Sequence, residues 1–125
     1  MGHVHADFVL TNLFSGKTAS FRAMIDTGAQ DVYITPAVAD ALGFDVEETS
    51  RIGVTVADGR RIEAPVFRRA LLTYQDRFHG VDVVVLGDQC LVGVLALESL
   101  CLIVDPVTQE LILRPGFPPG CQDRL

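Results

Sequence analysis

The chain has 125 residues and a mass of 13.6 kDa, the size of one domain and too short for two lobes of about 100 residues each. Its 49% hydrophobic and 21% charged residues describe a folded globular protein, not a disordered one. Ten bases against sixteen acids leave a net charge of -6 with no Lys/Arg block to track a phosphate backbone, and no apolar stretch approaches the ~20 residues that span a bilayer, so neither nucleic acid nor a membrane is an expected partner.

In chain order, Val4 to Leu10 and Thr18 to Ile25 read as strands, joined through the turn chemistry of Ser15-Gly16-Lys17. Asp31 to Ile34 reads as a brief strand. The helix signal is clearest at Pro36 to Leu42, where Thr35 can cap, Pro36 suits the first turn and Gly43 suits a left-handed stop. Arg51 to Val56 alternates, with Ile52, Val54 and Val56 on one face. Asp58-Gly59 then turns the chain into Arg60 to Ala64, and Asp-Gly between alternating runs is a strong hairpin signal. Pro65 implies an edge or a bulge, since proline cannot donate to a ladder.

Val66 to Tyr74 continues as strand, Gln75-Asp76 turns, and Arg77 to Leu86 forms the next. Its end, Val83-Val84-Val85-Leu86, is apolar on every residue, as in a strand buried on both faces. Leu91-Val92 is a short strand entering Gly93, and Val94 to Leu100 supplies a helical turn or two. Cys101 to Val104, the turn Asp105 to Thr108, and Glu110 to Leu113 form a last hairpin. The reading is one mostly-β domain over residues 1–113, with a Pro/Gly-rich tail at 114–125.

Cys90, Cys101 and Cys121 are odd in number and lack CxxC spacing, so they suggest neither a disulfide framework nor a zinc ribbon. Cys90 and Cys101 read as small buried hydrophobes, and Cys121 as a thiol in the tail. His3 and His5 would share a strand face, but no third ligand stands at a recognisable spacing and no metal site is expected. His79 reads as a surface residue. The N-terminus has neither a basic nor an apolar leader region, which makes a reducing, cytoplasmic setting the expectation.

The chemistry concentrates in Ala23-Met24-Ile25-Asp26-Thr27-Gly28-Ala29. A carboxylate follows an apolar strand and is followed by a hydroxyl and a glycine. Asp26 would sit at a strand end with its direction fixed by packing, and turn amides could hold its oxygens. Gly28 would let backbone or ligand approach closely. The plain structural alternative is an Asx turn after a strand.

The wider pattern resembles the retropepsin-like single-domain aspartic proteases, the clan of the retroviral proteases and their bacterial relatives. Asp26-Thr27-Gly28-Ala29 matches the catalytic loop and Ala57-Asp58-Gly59-Arg60 the tip of the flap hairpin. Leu91-Val92-Gly93 leading into Val94-Leu95-Ala96-Leu97 matches the second signature, and Leu102 to Pro106 the closing hairpin. Order and spacing agree from about Val4 to Leu113. Three departures stand out: Gly93 is followed by Val94-Leu95-Ala96 instead of Met-Asp or Arg-Asn, the flap has a single glycine, and no tyrosine stands near its tip.

The resemblance implies a mostly-β, closed or partly open barrel of the acid-protease type, with one or two short helices and one flap hairpin. It implies an aspartic endopeptidase without a cofactor, acting on a peptide or protein substrate. Asp26, Thr27 and Gly28 would be catalytic; Ala29, Gln30, Asp31, Ala57, Asp58 and Gly59 would meet substrate. One chain carries one Asp-Thr-Gly, so the second carboxylate of the dyad would come from Asp26 of another copy in a homodimer. The alternative is a catalytically weak or silent member serving as a dimerisation or peptide-binding module. Arg60 and Arg61 beside the flap tip could favour acidic substrates but read first as solvated charges.

Overall fold

Alternation decides the first hairpin. In β1 (His5–Asn12) Phe8, Leu10 and Asn12 are buried, and in β2 (Thr18–Asp26) Phe21, Ala23 and Ile25 are, so each strand turns one face inward as a period of two requires. The two run antiparallel, Phe8 opposite Phe21 with their rings stacked at 5.9 Å. Gly16, at φ +78°, turns the intervening loop. Asn12 is the one buried polar residue among the described residues, and it is satisfied: its Nδ2 donates to the Leu42 carbonyl at 3.0 Å and its Oδ1 accepts from the Phe14 amide. That bond ties the hairpin to the end of α1 (Pro36–Ala41), the helix that follows β3 (Val32–Ile34). Thr35 caps it as expected, accepting from the Val38 amide, and Gly43 leaves it at φ +72°. The computed structural model describes residues 4–56 and 58–113; the tail at 114–125, Cys121 with it, lies outside them.

β4 (Arg51–Thr55) pairs antiparallel with the first part of β5 (Arg61–Tyr74). The strand continues through Pro65 to Tyr74, as expected. Pro65 faces Arg51 while the next amide, Val66, donates to Ser50. The proline nitrogen therefore points away from β4, on the side where the ladder to β6 (Arg77–Val85) begins only at Val66. A bulge follows, since Phe67 faces Val83 and Ala70 faces Val81, placing Arg68 and Arg69 against Asp82 alone.

Past the bulge β5 also pairs with β1. With β7 (Leu91–Gly93) between β2 and β3, the hydrogen-bonded order β1-β2-β7-β3-β6-β5 returns to β1 as a closed six-stranded barrel, and β4 extends β5 outside it. The barrel has no free edge of its own. Its filling includes Phe8, Leu10, Val32, Ile34, Leu72, Val83 and Val92. Val84 points the other way, into a second apolar cluster with Ala64 and Val66 that Tyr33, Ile52, Val54 and Leu86 pack against. The run Val83 to Val85 is thus buried on both faces. α2 (Val94–Ser99) and the hairpin of β8 (Leu102–Val104) with β9 (Leu111–Leu113) complete the chain.

Cys90 is a free buried thiol and Cys101 is fully buried, both in the apolar interior as expected. Among the described residues no helix is long and apolar enough to cross a membrane.

Candidate active site

Asp26 is the last residue of β2, in a parallel ladder with β7 that sets it opposite Gly93. The strand before it is buried in the barrel, so the position of its Cα follows from packing. The carboxylate is then fixed locally: its Oδ1 accepts the Gly28 amide at 2.9 Å, and the Ala29 amide donates to the Asp26 carbonyl at 3.1 Å. The Asx turn and the catalytic loop are one structure here, because the bond that closes the turn also aims the carboxylate. A Cβ on Gly28 would stand 3.3 Å from that same oxygen.

The loop beyond Asp26 rests on β7. Gly93 donates to the Asp31 carbonyl at 2.9 Å and Val94 to the Ala29 carbonyl at 3.0 Å. The loop thereby satisfies the first amide of α2, whose start has no side-chain cap. The approach is so close that a Cβ on Gly93 would lie 2.6 Å from the Ala29 oxygen and from the Gln30 carbonyl carbon. Only glycine fits.

A cleft of about 560 Å³ opens beside Asp26, Gly28 and Ala29. Its other walls are Tyr33, the Val54 to Val56 end of the β4–β5 hairpin, Leu86 to Gln89, and Leu91. The hairpin is two-faced: Ile52, Val54, Ile62 and Ala64 turn inward, whereas Arg51, Gly53, Thr55, Arg61 and Glu63 are exposed. Burial raises the Tyr33 phenol above its ordinary value, and the Asp31 and Asp26 carboxylates raise it further. Tyr33 therefore stands within electrostatic reach of Asp26.

The other expected residues fall elsewhere. Thr27 is exposed and lines an apolar hollow of about 240 Å³ with Val94, Leu97, Leu102, Ile103 and Val104. Gln30 and Asp31 line a third hollow with Arg68, Asp82 and Leu95. There burial raises the Asp31 carboxyl, Asp82 adds to the rise, and Arg68 opposes it. Asp58 and Gly59 form the exposed hairpin tip, and Ala57 lies outside the described residues. Asp58 is held below the usual carboxylate range by the Arg60 amide at 3.1 Å and the Arg60 guanidinium at 2.7 Å. Sequence reasoning did not single out Tyr33, Leu86 to Gln89 or Leu91 as cleft residues. A usable signal existed for Tyr33, a polar-tipped aromatic between the inward Val32 and Ile34 on the strand after the loop.

Residues 13–99 match the family described as "gag-polyprotein putative aspartyl protease". The chain belongs to this aspartyl protease family. Its fold is the retropepsin fold: a retropepsin-like aspartic protease from Rickettsia conorii superposes with a TM-score of 0.57 at 20% identity, covering 83% of this chain and 88% of that one. No curated protein matches the sequence.

Proposed function

We propose that the chain is an aspartic endopeptidase whose active site forms between two copies. The observation that carries this reading is the Asp26 carboxylate, aimed by the Gly28 amide into a cleft that the Val54 to Val56 end of a hairpin also lines. Hydrolysis by carboxylates needs two of them on one water. Facing carboxyls share a proton, because both cannot ionise cheaply at close range. The ionised one takes a proton from water as its oxygen attacks the peptide carbonyl carbon, while the protonated one donates to the carbonyl oxygen. The resulting gem-diol collapses: one hydroxyl returns its proton to a carboxylate, the nitrogen gains one, and the C–N bond breaks. One chain holds one such loop, so Asp26 of a second copy completes the dyad.

The surroundings of Thr27 support the placement of the two-fold axis. It is exposed beside an apolar hollow of α2 and β8, a surface that a second copy would cover, and its hydroxyl would bond across the axis. The β4–β5 hairpin would serve as the flap, with Ala57, Asp58 and Gly59 closing on an extended peptide by strand addition. Ala29, Gln30 and Asp31 would meet the peptide main chain.

Digestion of a peptide library by wild type and Asp26→Asn, with the mass of each in solution, tests the reading. Cleavage by a wild-type dimer that Asp26→Asn abolishes is expected. Equal cleavage by both proteins would refute it. A dimer that binds peptide without cutting would point to the silent module.

A further inference from the structure

We infer, on the basis of the endopeptidase reading, that Asp88 selects a lysine or arginine side chain of the substrate close to the scissile bond. Asp88 lines the same cleft as Asp26, and among the described residues no lysine, arginine or histidine does. Asp7, Asp58 and Asp82 each hold an arginine, whereas Asp88 makes no hydrogen bond or ion pair among the described residues. Gly87 before it turns the chain at φ +83°, and Asp88 is an exposed residue of the bend between β6 and β7 that lines the cleft.

Neighbouring charge points the same way. The hairpin cations do not face the cleft: Arg60 is held by Asp58, and the Arg61 guanidinium lies across Gly53 on the exposed face of the hairpin. The cleft that Asp26 and Asp88 share is also walled by Tyr33, Val54, Leu86 and Leu91. A lysine or arginine matches that combination, laying its aliphatic stem on apolar wall and its charge beside Asp88. An acidic side chain would meet two carboxylates and no counter-ion. In a two-fold dimer the second Asp88 extends the preference to the other side of the scissile bond.

The experiment compares matched peptides differing by Lys, norleucine or Glu within three positions of the cut, and reads the ratio of kcat/KM within each protein. Wild type is expected to favour Lys over norleucine by about 3- to 5-fold, the scale of one solvent-exposed charge pair, and the preference should shrink at about 0.5 M salt. Asp88→Asn should bring the ratio near one, and Asp88→Lys should invert it in favour of Glu, a gain that misfolding cannot produce. A wild-type ratio near one, or a ratio that Asp88→Asn leaves unchanged, overturns the assignment. If wild type cleaves none of the peptides, the endopeptidase reading fails, and binding of the Lys and norleucine peptides decides this one separately. Tighter Lys binding that Asp88→Asn abolishes supports it; equal binding, or none, overturns it.

Discussion

Asp26 and Asp58 close their turns in the same way, each accepting the amide two residues on, at 2.9 and 3.1 Å. Asp45 and Asp105 do so as well, to Glu47 and Val107. Local chemistry therefore does not distinguish a candidate catalytic carboxylate from an ordinary turn. What differs is the support beneath it. The Asp26 turn ends a barrel strand and lies against Gly93 with no room for a methyl group, whereas Gly59 at the hairpin tip has nothing within 4 Å of where a Cβ would stand. One turn is held by its neighbours, whereas at the other a side chain would meet open space, which suits the fixed carboxylate and the closing flap of the proposed function.

The contrast is broken most severely at Gly93. In Gly93→Ala the new methyl meets the Ala29 and Gln30 backbone, which cannot withdraw without losing the bonds from Gly93 and Val94. A destabilisation of about 2–3 kcal/mol is expected, a fall in Tm on the order of 10 °C for a domain of this size, together with loss of peptide cleavage. Thermal unfolding within about 2 °C of wild type would show that the loop is not seated as described. Next comes Gly28→Ala, whose methyl would press on Asp26 Oδ1 from 3.3 Å. The fold should survive, but a displaced carboxylate should cost about 10- to 100-fold in kcat. An unchanged kcat would mean that the Gly28 bond does not set the catalytic geometry.

Gly59→Ala should do far less to the whole molecule. Its cost is the left-handed φ of +89°, about 1 kcal/mol, and it should appear as faster amide exchange confined to the β4–β5 hairpin. Protection lost throughout the barrel would contradict the independence of the tip.

Much of this fold could be read from sequence because its signals are local. The alternation in β1 and β2, the Thr35 cap and the two-sided burial of Val83 to Val85 each lie within a few residues of their cause. The barrel closure between β1 and β5 was not legible, nor was the use of one strand by three partners, because nothing near Leu72 announces Leu10. Gly93 shows the same division. Its place after two apolar residues was visible, but its reason is a contact with Ala29 and Gln30, more than 60 residues away in sequence. Asp88 was visible only as one acid among many until the fold put it in a cleft with Asp26.

The smallest effects, and the ones that separate the two regions by sign, are in pH. Asp31 follows the seated loop, and its carboxyl is raised by burial first and then by Asp82. A raised value means that the folded state holds the proton more tightly than the unfolded chain does. That contribution is fully present below the unfolded value of 3.8 and is lost as pH rises through the folded one. Asp58 at the tip is lowered by its bonds to Arg60. Its contribution is present above 3.8 and is lost as pH falls through the folded value. The stability of Asp31→Asn relative to wild type should therefore increase from acid to neutral pH, while that of Asp58→Asn should decrease over the same range. Tm measured against pH for the three proteins checks both slopes. Parallel slopes would mean that the two carboxyls experience the same kind of environment, and the distinction between a seated loop and a solvated tip would fail where it is most directly electrostatic.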